Sequence, residues 1–201
     1  MYFNKTPFIL KYIFRNVTWN ISESDEIFLT FDDGPSPEST PHILKALRDK
    51  SIRATFFCLG SQVEKYPDLL RNIRKEGHHI GNHGYHHFSG WHTPFVEYLE
   101  NIKKADKLIS SKLFRPPYGK LTYRQYANIS KNKNIIMWDV MPGDFDNRST
   151  KEMVLNRYNK YTSQGSIVAL HDNIKSLENV LYTINNLSNK HEFRDLGFLD
   201  T

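Results

Sequence analysis

A chain of 201 residues is long enough to bury one full-sized hydrophobic core, and this length favours one domain over two. Its composition of 39% hydrophobic, 13% aromatic and 24% charged residues is that of a folded globular protein and excludes intrinsic disorder. The net charge of +5 is spread along the chain with no block of five like charges, which argues against a nucleic-acid-binding module.

The cysteine content and the first residues bear on the cellular compartment. The single cysteine, Cys58, excludes an intramolecular disulfide, and its place in an apolar run predicts a small buried side chain. Residues 1–14 contain only apolar fragments, interrupted at Lys5, Pro7 and Lys11, with no signal-peptide pattern. No window approaches the roughly 18 apolar residues that a membrane span requires. We therefore predict a soluble, cytoplasmic protein without a membrane span and with an undetermined oligomeric state.

After a lead-in of about 25 residues, strand-like and helix-like segments alternate with short connections. The apolar, β-rich runs predict strands at 26–31, 52–59, 78–83, 135–140 and 166–170, with a short apolar pair at 113–114. Capping residues and apolar spacing predict helices at 40–50, 61–75, 95–108, 122–131, from 151 onward and at 177–187, followed by a short tail strand. Ser61 is the expected cap of the second helix, and Met153, Val154 and Tyr158 are expected to face inward from the fifth. Such alternation is typical of a parallel sheet covered by helices, either a barrel or an open sheet. The sequence contains neither Gly-x-Gly-x-x-Gly nor Gly-x-x-x-x-Gly-Lys, the motifs by which nucleotide-binding open sheets are recognised, and this argues against such a sheet.

The first strand ends in Asp32 and Asp33, which the breaker Gly34-Pro35 follows directly. Two adjacent carboxylates repel each other, and they stay ionised most easily when one binds a cation and the other pairs with a cation or takes up a proton. A solvated turn is the alternative interpretation of this motif alone.

Further polar side chains follow the other predicted strands. Together with the two aspartates, the candidates at strand ends are His83, His87, Arg115, Asp144, His171 and Asp172. In a closed barrel all of these ends lie on one face. His83 and His87 are four residues apart and, with Asp33, offer two imidazoles and a carboxylate, a set suited to Zn²⁺ or another first-row divalent ion. His86 is a rival ligand that spacing alone does not exclude.

Five motifs in order carry a resemblance to a known family. They are Thr30 to Pro35 (TFDDGP), Gly81 to His87 (GNHGYHH), Arg115 to Gly119 (RPPYG), Trp138 through Asp144-Phe145, and Leu170 to Asp172 (LHD). Over about 27–172 the chain resembles the polysaccharide deacetylase family, the chitooligosaccharide deacetylase-like carbohydrate esterases. The resemblance implies an α/β fold, a distorted (β/α) barrel with parallel strands covered by helices. We expect a single domain over 1–201, with a lead-in at 1–25 and the barrel at 26–201.

The resemblance also implies a function. Members of this family remove N-acetyl, sometimes O-acetyl, groups from a carbohydrate with one divalent metal, and Zn²⁺ is the expected ion here. The expected partner is an N-acetylated carbohydrate, with no nucleic acid. Two alternatives stay open, a catalytically inactive glycan-binding barrel and a metal-dependent amidohydrolase acting on a small non-sugar amide.

Residue roles follow from the same resemblance. Asp33, His83 and His87 are similar to the metal ligands. Asp32 resembles the general base and Arg115 the residue that orients it. His171 resembles the general acid, and Asp144 the carboxylate that orients that acid.

The substrate-binding positions include departures from the family pattern. The backbone amide of Tyr118 resembles an oxyanion donor, and Pro117 lies beside it. Phe145 stands where tryptophan is usual, Gly84 where a hydroxyl residue is usual, and Ala169 where leucine is common. We expect Phe145 and Ala169 to reshape the substrate pocket, and the smaller Ala169 to enlarge the space for the acyl group.

Overall fold

Short parallel strands build the centre of the molecule. The structure is a computed structural model that describes residues 3–14, 16–188 and 191–201. Its strands are β1 (Phe28–Asp32), β2 (Thr55–Cys58), β3 (His79–Asn82), β4 (Leu113–Phe114), β5 (Asn134–Ile135) and β6 (Ile167–His171). Across the described ranges they form one parallel sheet in the order β5-β4-β3-β2-β1-β6. Strands that are consecutive in the chain are therefore adjacent in the sheet, except that β6 pairs with β1 and not with β5.

Helices follow the strands and cover the outside of the sheet. They are α1 (Phe8–Ile13), α2 (Thr40–Asp49), α3 (Gly60–Lys65), α4 (Pro67–Lys75), α5 (Phe95–Ile109), α6 (Tyr123–Ile129), α7 (Lys151–Tyr161) and α8 (Leu177–Asn185). Helix α2 illustrates the packing, because Ile43, Leu44, Ala46 and Leu47 form a buried stripe while Lys45 and Arg48 face solvent. No helix in the described ranges combines the length and the apolar character that crossing a membrane demands.

The sheet curls into a barrel, and isolated β-bridges close it. After β5 the chain no longer pairs as a regular strand, but Val140 bridges in parallel to Val168 of β6. The N-terminal segment fills the remaining gap, with Thr18 bridged to Ile136 and Lys5 bridged to Val140. The predicted distorted barrel with parallel strands and covering helices is confirmed.

The barrel interior is layered because side chains alternate along each strand. Phe28, Phe57 and Ile167 belong to one apolar cluster, to which β1, β2 and β6 each contribute and which fills the lower barrel. Two residues further along β1 lies the buried Thr30, and two further again lies Asp32 at the strand end. The apolar floor therefore changes to a polar layer toward the C-terminal ends of the strands.

Two predicted elements are wrong in ways that have a local cause. The single helix predicted over 61–75 is two helices, because Pro67 has no amide hydrogen and its ring prevents the preceding turn from continuing. The first of them begins at Gly60 after Leu59 with no side-chain cap, so the predicted capping by Ser61 is also wrong.

Other differences arise from tertiary contacts. Of the strand predicted over 135–140, only Ile135 belongs to a regular strand, β5, because the following residues leave β4 to close the barrel. Met153, predicted to face inward from α7, is 41% exposed. The expected tail strand is a single bridge from Phe193 to Ile27, and the lead-in contains the unpredicted helix α1.

A buried carboxylate ties the N-terminal segment to the barrel. Asp139 is 3% exposed, and it accepts hydrogen bonds from Lys5 Nζ and Lys11 Nζ, each at 2.5 Å, and from Ser166 Oγ at 2.8 Å. Burial raises the pKa of Asp139, but the lysine and serine donors outweigh burial and hold the pKa below its usual value. The backbone of Asp139 accepts a further bond from the amide of Thr6 at 2.9 Å.

Asp139→Asn should loosen this segment and reduce the free energy of unfolding by about 1–3 kcal/mol, because two ammonium groups lose a buried anionic partner. Urea unfolding measures the loss, and amide hydrogen exchange should accelerate over residues 4–18. Asp49→Asn, which removes the exposed pair between Lys45 and Asp49, is the matched control and should change stability by less than about 0.5 kcal/mol. Equal effects of the two substitutions would contradict the role of Asp139.

Candidate active site

A cavity of about 380 Å³ lies at the C-terminal ends of the strands. Nine of the residues proposed from the sequence converge on or beside it, and seven of them line it. The ones that line it are Asp32, Asp33, His83, His87, Tyr118, Phe145 and His171. Arg115 and Asp144 lie behind this wall as fully buried partners of Asp32 and His171. This is the convergence that a closed barrel predicts for groups at strand ends.

Three of the lining residues form a cluster with the chemistry of a metal site. The ligand atoms of Asp33, His83 and His87 all lie within 4.8 Å of one another. Asp33 Oδ1 is 3.3 Å from His87 Nε2 and 3.8 Å from His83 Nε2. A cation shared by the three side chains would bring their ligand atoms to coordination distance.

The local backbone presents each ligand to the cluster. Asp33 follows β1 with φ at 79°, a left-handed conformation that costs a non-glycine residue about 1–2 kcal/mol and turns its carboxylate away from the strand. His83 follows β3, and its Nδ1 lies 2.7 Å from the carbonyl oxygen of Arg115. Since a carbonyl only accepts, Nδ1 carries the proton and Nε2 presents a lone pair to the cluster.

The unsatisfied atoms and charges of this cluster fit a cation. Asp33 Oδ1 is buried and has no hydrogen-bond partner among the described residues, although Asn173 Nδ2 donates to Oδ2 at 3.2 Å. A buried carboxylate oxygen without a donor is costly, and a cation removes that cost. Burial and the adjacent His83 lower the pKa of His87 to about 4, so its imidazole is neutral and able to bind a metal.

His86 lies outside this cluster. Its side chain is exposed, and its ring packs against Tyr85 and Phe88 at centroid distances of 4.7 and 5.3 Å. The tight loop after β3 therefore turns His87 inward and His86 outward.

Asp32 is held by an arginine that has no access to solvent. Arg115 Nη1 donates to Asp32 Oδ1 at 2.8 Å and to Thr30 Oγ1 at 2.6 Å, and Nη2 donates to the Met137 carbonyl at 2.9 Å. Its guanidinium also lies 4.1 Å from the centre of the Phe57 ring. Burial raises the pKa of Asp32, but several opposing contributions, of which the charge of Arg115 is the largest, together hold the pKa below its usual value. Asp32 is therefore an oriented, ionised carboxylate at the cavity.

His171 faces the same cavity from β6. Its Nδ1 lies 3.1 Å from Asp144 Oδ1, and its backbone amide donates to Asp144 Oδ2 at 2.8 Å. Burial opposes the charged imidazole, yet the carboxylates of Asp144, Asp33 and Asp32, with Asp144 contributing most, together raise the pKa of His171 to about 9. The Phe145 ring packs edge-on against the imidazole at 4.8 Å. His171 is thus an imidazolium near neutral pH with Nε2 free to reach a ligand.

Tyr118 approaches the cluster from a strained turn. It has φ at 59° within the turn Pro117–Gly119, whose hydrogen bonds are donated by the amides of Gly119 and Lys120 rather than by Tyr118. The Tyr118 ring contacts His87 at a centroid distance of 4.3 Å. The left-handed backbone keeps the Tyr118 amide out of the turn's own hydrogen bonds.

The remaining predicted positions lie away from the cavity wall. Pro117 and Ala169 are buried and do not line the cavity, so their assignment as substrate contacts stays a prediction. Ala169 pairs in register with Thr30, one layer below Asp32 and His171. Asp172 points the other way, where it accepts hydrogen bonds from Ser39 Oγ and Thr40 Oγ1, each at 2.5 Å. Its amide donates to the Asp32 carbonyl at 2.7 Å, so it supports the Asp32-Asp33 loop from behind.

Sequence reasoning assigned no role to Thr30, Asn173 or Lys120. Thr30 carries a recognisable signal, because it is a polar residue inside a buried strand two positions before Asp32 and so lies on the same face. Asn173 and Lys120 are polar residues in loops, and only the tertiary structure brings them to the cavity.

Comparisons with known proteins agree with this geometry. The family model for polysaccharide deacetylases matches residues 20–138. A peptidoglycan-N-acetylglucosamine deacetylase of Bacillus cereus is 35% identical over 153 residues, which cover 73% of this chain and 55% of that protein. A chitooligosaccharide deacetylase of Azorhizobium caulinodans is 33% identical over 155 residues, covering 73% of each chain.

A solved structure extends the similarity over nearly the whole chain. The crystal structure of a peptidoglycan N-acetylglucosamine deacetylase in complex with 4-naphthalen-1-yl-N-oxidanyl-benzamide superposes with a TM-score of 0.87 and 28% identity, covering 96% of both chains. The present chain spans about half the length of the Bacillus cereus relative described above. As its motifs predicted, the chain belongs to the polysaccharide deacetylase family.

Proposed function

We propose that this protein is a metal-dependent hydrolase that removes N-acetyl groups from a carbohydrate. The observation that carries the proposal is that the Asp33, His83 and His87 cluster, the ionised Asp32 and the protonated His171 all face one cavity. The similarity to deacetylases of peptidoglycan and of chitooligosaccharides supports an N-acetylated glycan as the substrate. The presence of base, acid and ligands together favours catalysis over an inactive glycan-binding barrel.

Asp33, His83 and His87 would hold the divalent ion, and two imidazoles with one carboxylate are a set that Zn²⁺ accepts. A bound divalent ion polarises an amide carbonyl and makes a coordinated water more acidic. The similar deacetylase noted above binds an N-hydroxybenzamide, a hydroxamic acid, and hydroxamic acids are metal chelators. This supports a metal at the corresponding place in the present chain.

Asp32 would act as the general base. It is ionised because Arg115 stabilises its charge, and the four hydrogen-bonding contacts of that arginine fix its orientation. Oδ1 is occupied by the guanidinium, so Oδ2 is the atom that accepts a proton from the attacking water. The backbone amide of Tyr118 would donate to the oxygen of the substrate carbonyl as negative charge develops on it.

His171 would protonate the departing amine. An amine is a poor leaving group until it is protonated, so the reaction needs a proton donor as well as a base. Nδ1 is engaged with Asp144, which leaves Nε2 as the atom that transfers the proton. After the transfer Asp144 keeps the neutral imidazole in the tautomer with hydrogen on Nδ1.

The substrate class is tested by measuring acetate release from chitooligosaccharides, from peptidoglycan fragments and from small N-acetylated amides that contain no sugar. We expect release from a glycan and its loss after incubation with a chelator. Release from the non-sugar amides alone would replace the carbohydrate proposal with an amidohydrolase. No release from any substrate by metal-loaded protein would favour the inactive barrel.

Asp33→Ala should abolish bound divalent metal and activity together, because it removes the only carboxylate of the ligand cluster. The matched control is His86→Ala, which removes a neighbouring imidazole that lies outside the cluster and should leave the metal content unchanged. Metal content by mass spectrometry and acetate release are measured on the same samples. Full metal occupancy in Asp33→Ala would contradict the assignment.

His171→Ala should keep its metal and lose a factor of about 10²–10⁴ in kcat, the usual contribution of a positioned proton donor. Loss of metal from this variant would instead identify His171 as a ligand.

Asp144→Asn should move the alkaline limb of the kcat profile to lower pH. Activity requires protonated His171 and is lost as pH rises through its pKa, which the nearby carboxylates, Asp144 most of all, raise to about 9. Removing that anion lowers the pKa, so activity is lost at a lower pH. An alkaline limb in the same place as in the native enzyme would rule out the pairing of Asp144 with His171.

A further inference from the structure

A second cavity of about 340 Å³ lies beside the candidate active site. It is bounded on one side by the N-terminal segment and on the other by the turn that carries Tyr118. We call it the side groove and define it by Leu10, Phe14, Trp19, Trp91, Leu121 and Met137. The two cavities share Tyr118, Lys120 and Trp138 as wall residues, so a ligand in one adjoins the other.

Three polar side-chain groups of the side groove donate to backbone carbonyls of the protein itself. Trp19 Nε1 donates to the Phe14 carbonyl at 3.3 Å, and Trp91 Nε1 donates to the Leu121 carbonyl at 3.2 Å. The hydroxyl of Thr6 donates to the Trp138 carbonyl at 2.7 Å. The apolar faces of these side chains are what the groove presents to a ligand.

This chemistry selects an apolar ligand over a second sugar. The hydroxyls of a sugar placed in the groove would give up hydrogen bonds to water and find few new partners, which is unfavourable. An alkyl or aryl group loses no hydrogen bonds and gains by leaving water. The volume lies within the range of about 300–1,000 Å³ typical of small-molecule sites.

Aromatic side chains at the edge of the side groove are exposed to solvent. Phe3 is 56% exposed, Trp91 61% and Tyr118 59%, and all three line the groove. Lys120 stands where the two cavities meet, with Nζ 5.0 Å from the centre of the Trp91 ring. Apolar surface that stays exposed beside a catalytic cavity is typical of a binding site.

We propose that the side groove binds an alkyl or aryl group attached to the N-acetylated sugar, so that the natural substrate is an amphipathic glycoside. This inference rests on the proposed function, since it assumes that the sugar occupies the adjoining active site. The N-acetyl group lies at the Asp33, His83 and His87 cluster, and the apolar group passes Tyr118 and Trp138 into the groove.

The test compares the methyl and hexyl glycosides of N-acetylglucosamine below their critical micelle concentrations. We expect KM for acetate release to be at least tenfold lower for the hexyl glycoside, with kcat changed much less. Each buried methylene accounts for up to about a fourfold change in binding. Equal KM values for the two glycosides would overturn the proposal and leave the deacetylase assignment intact.

Tryptophan fluorescence gives a second readout that does not depend on turnover. All three tryptophans of the chain, Trp19, Trp91 and Trp138, line the side groove. The hexyl glycoside should therefore produce a saturable change in emission in metal-free protein, and the methyl glycoside a much weaker one. Saturable binding of the hexyl glycoside without acetate release from either compound would refute the proposed function while supporting the groove. The absence of a fluorescence change on adding the hexyl glycoside would overturn the proposal that the side groove binds an alkyl group.

Matched variants of α1 test whether the alkyl group binds in the side groove. Leu10→Gln puts a polar amide into the groove and should raise KM for the hexyl glycoside toward the value for the methyl glycoside. Ile9→Gln is the control, because Ile9 is 59% exposed on the same helix and does not line the groove. Leu121→Gln tests the opposite wall and replaces Leu10→Gln if that variant does not fold. Identical KM values for the hexyl glycoside in the groove and control variants would contradict the proposal.

Discussion

The pair formed by Arg115 and Asp32 is the interaction on which the rest of the site depends. A guanidinium with no solvent access is tolerated only when a counter-charge and hydrogen-bond acceptors surround it. Arg115 finds them on Asp32, on Thr30 and on the carbonyls of the segment after β5. Its own carbonyl accepts from His83, one of the ligand side chains. One buried residue therefore connects Asp32, the proposed base, with His83, a proposed metal ligand, so that neither side chain is positioned independently of the other.

Backbone strain marks the same region. Four non-glycine residues in the described ranges have positive φ, and two of them, Asp33 and Tyr118, lie at the cavity. Such conformations cost about 1–3 kcal/mol and persist only where the surroundings impose them. At Asp33 the surroundings include Asp172, whose amide holds the carbonyl of Asp32 and whose carboxylate leaves no room for a Cβ at Gly34. The surroundings thus hold the loop in this conformation, with Asp33 lining the cavity.

The N-terminal segment links closure of the barrel to the shape of the second cavity. Asp139 holds Lys5 and Lys11, and because Lys11 belongs to α1, these ion pairs place α1 across the side groove from the turn that carries Tyr118. The same segment bridges to the strand-like stretch after β5 and so occupies the gap that regular pairing leaves. A region without a clear period in the sequence therefore both completes the barrel and builds one wall of the side groove.

The sequence by itself determined the alternation of strands and helices, the position of ionisable groups at strand ends and the family. These depend on local periodicity and on short motifs, whose physical causes lie within a few residues of each other. Spacing alone left His86 and His87 as rivals, and the tertiary structure decided between them, because the His87 ring packs against Tyr118 and His83 while His86 is exposed. Pairs such as Lys5 with Asp139 and Asp32 with Arg115 join residues far apart in the chain. Contacts of this kind leave no period or spacing in the sequence, because they arise only when the curled sheet brings the segments together.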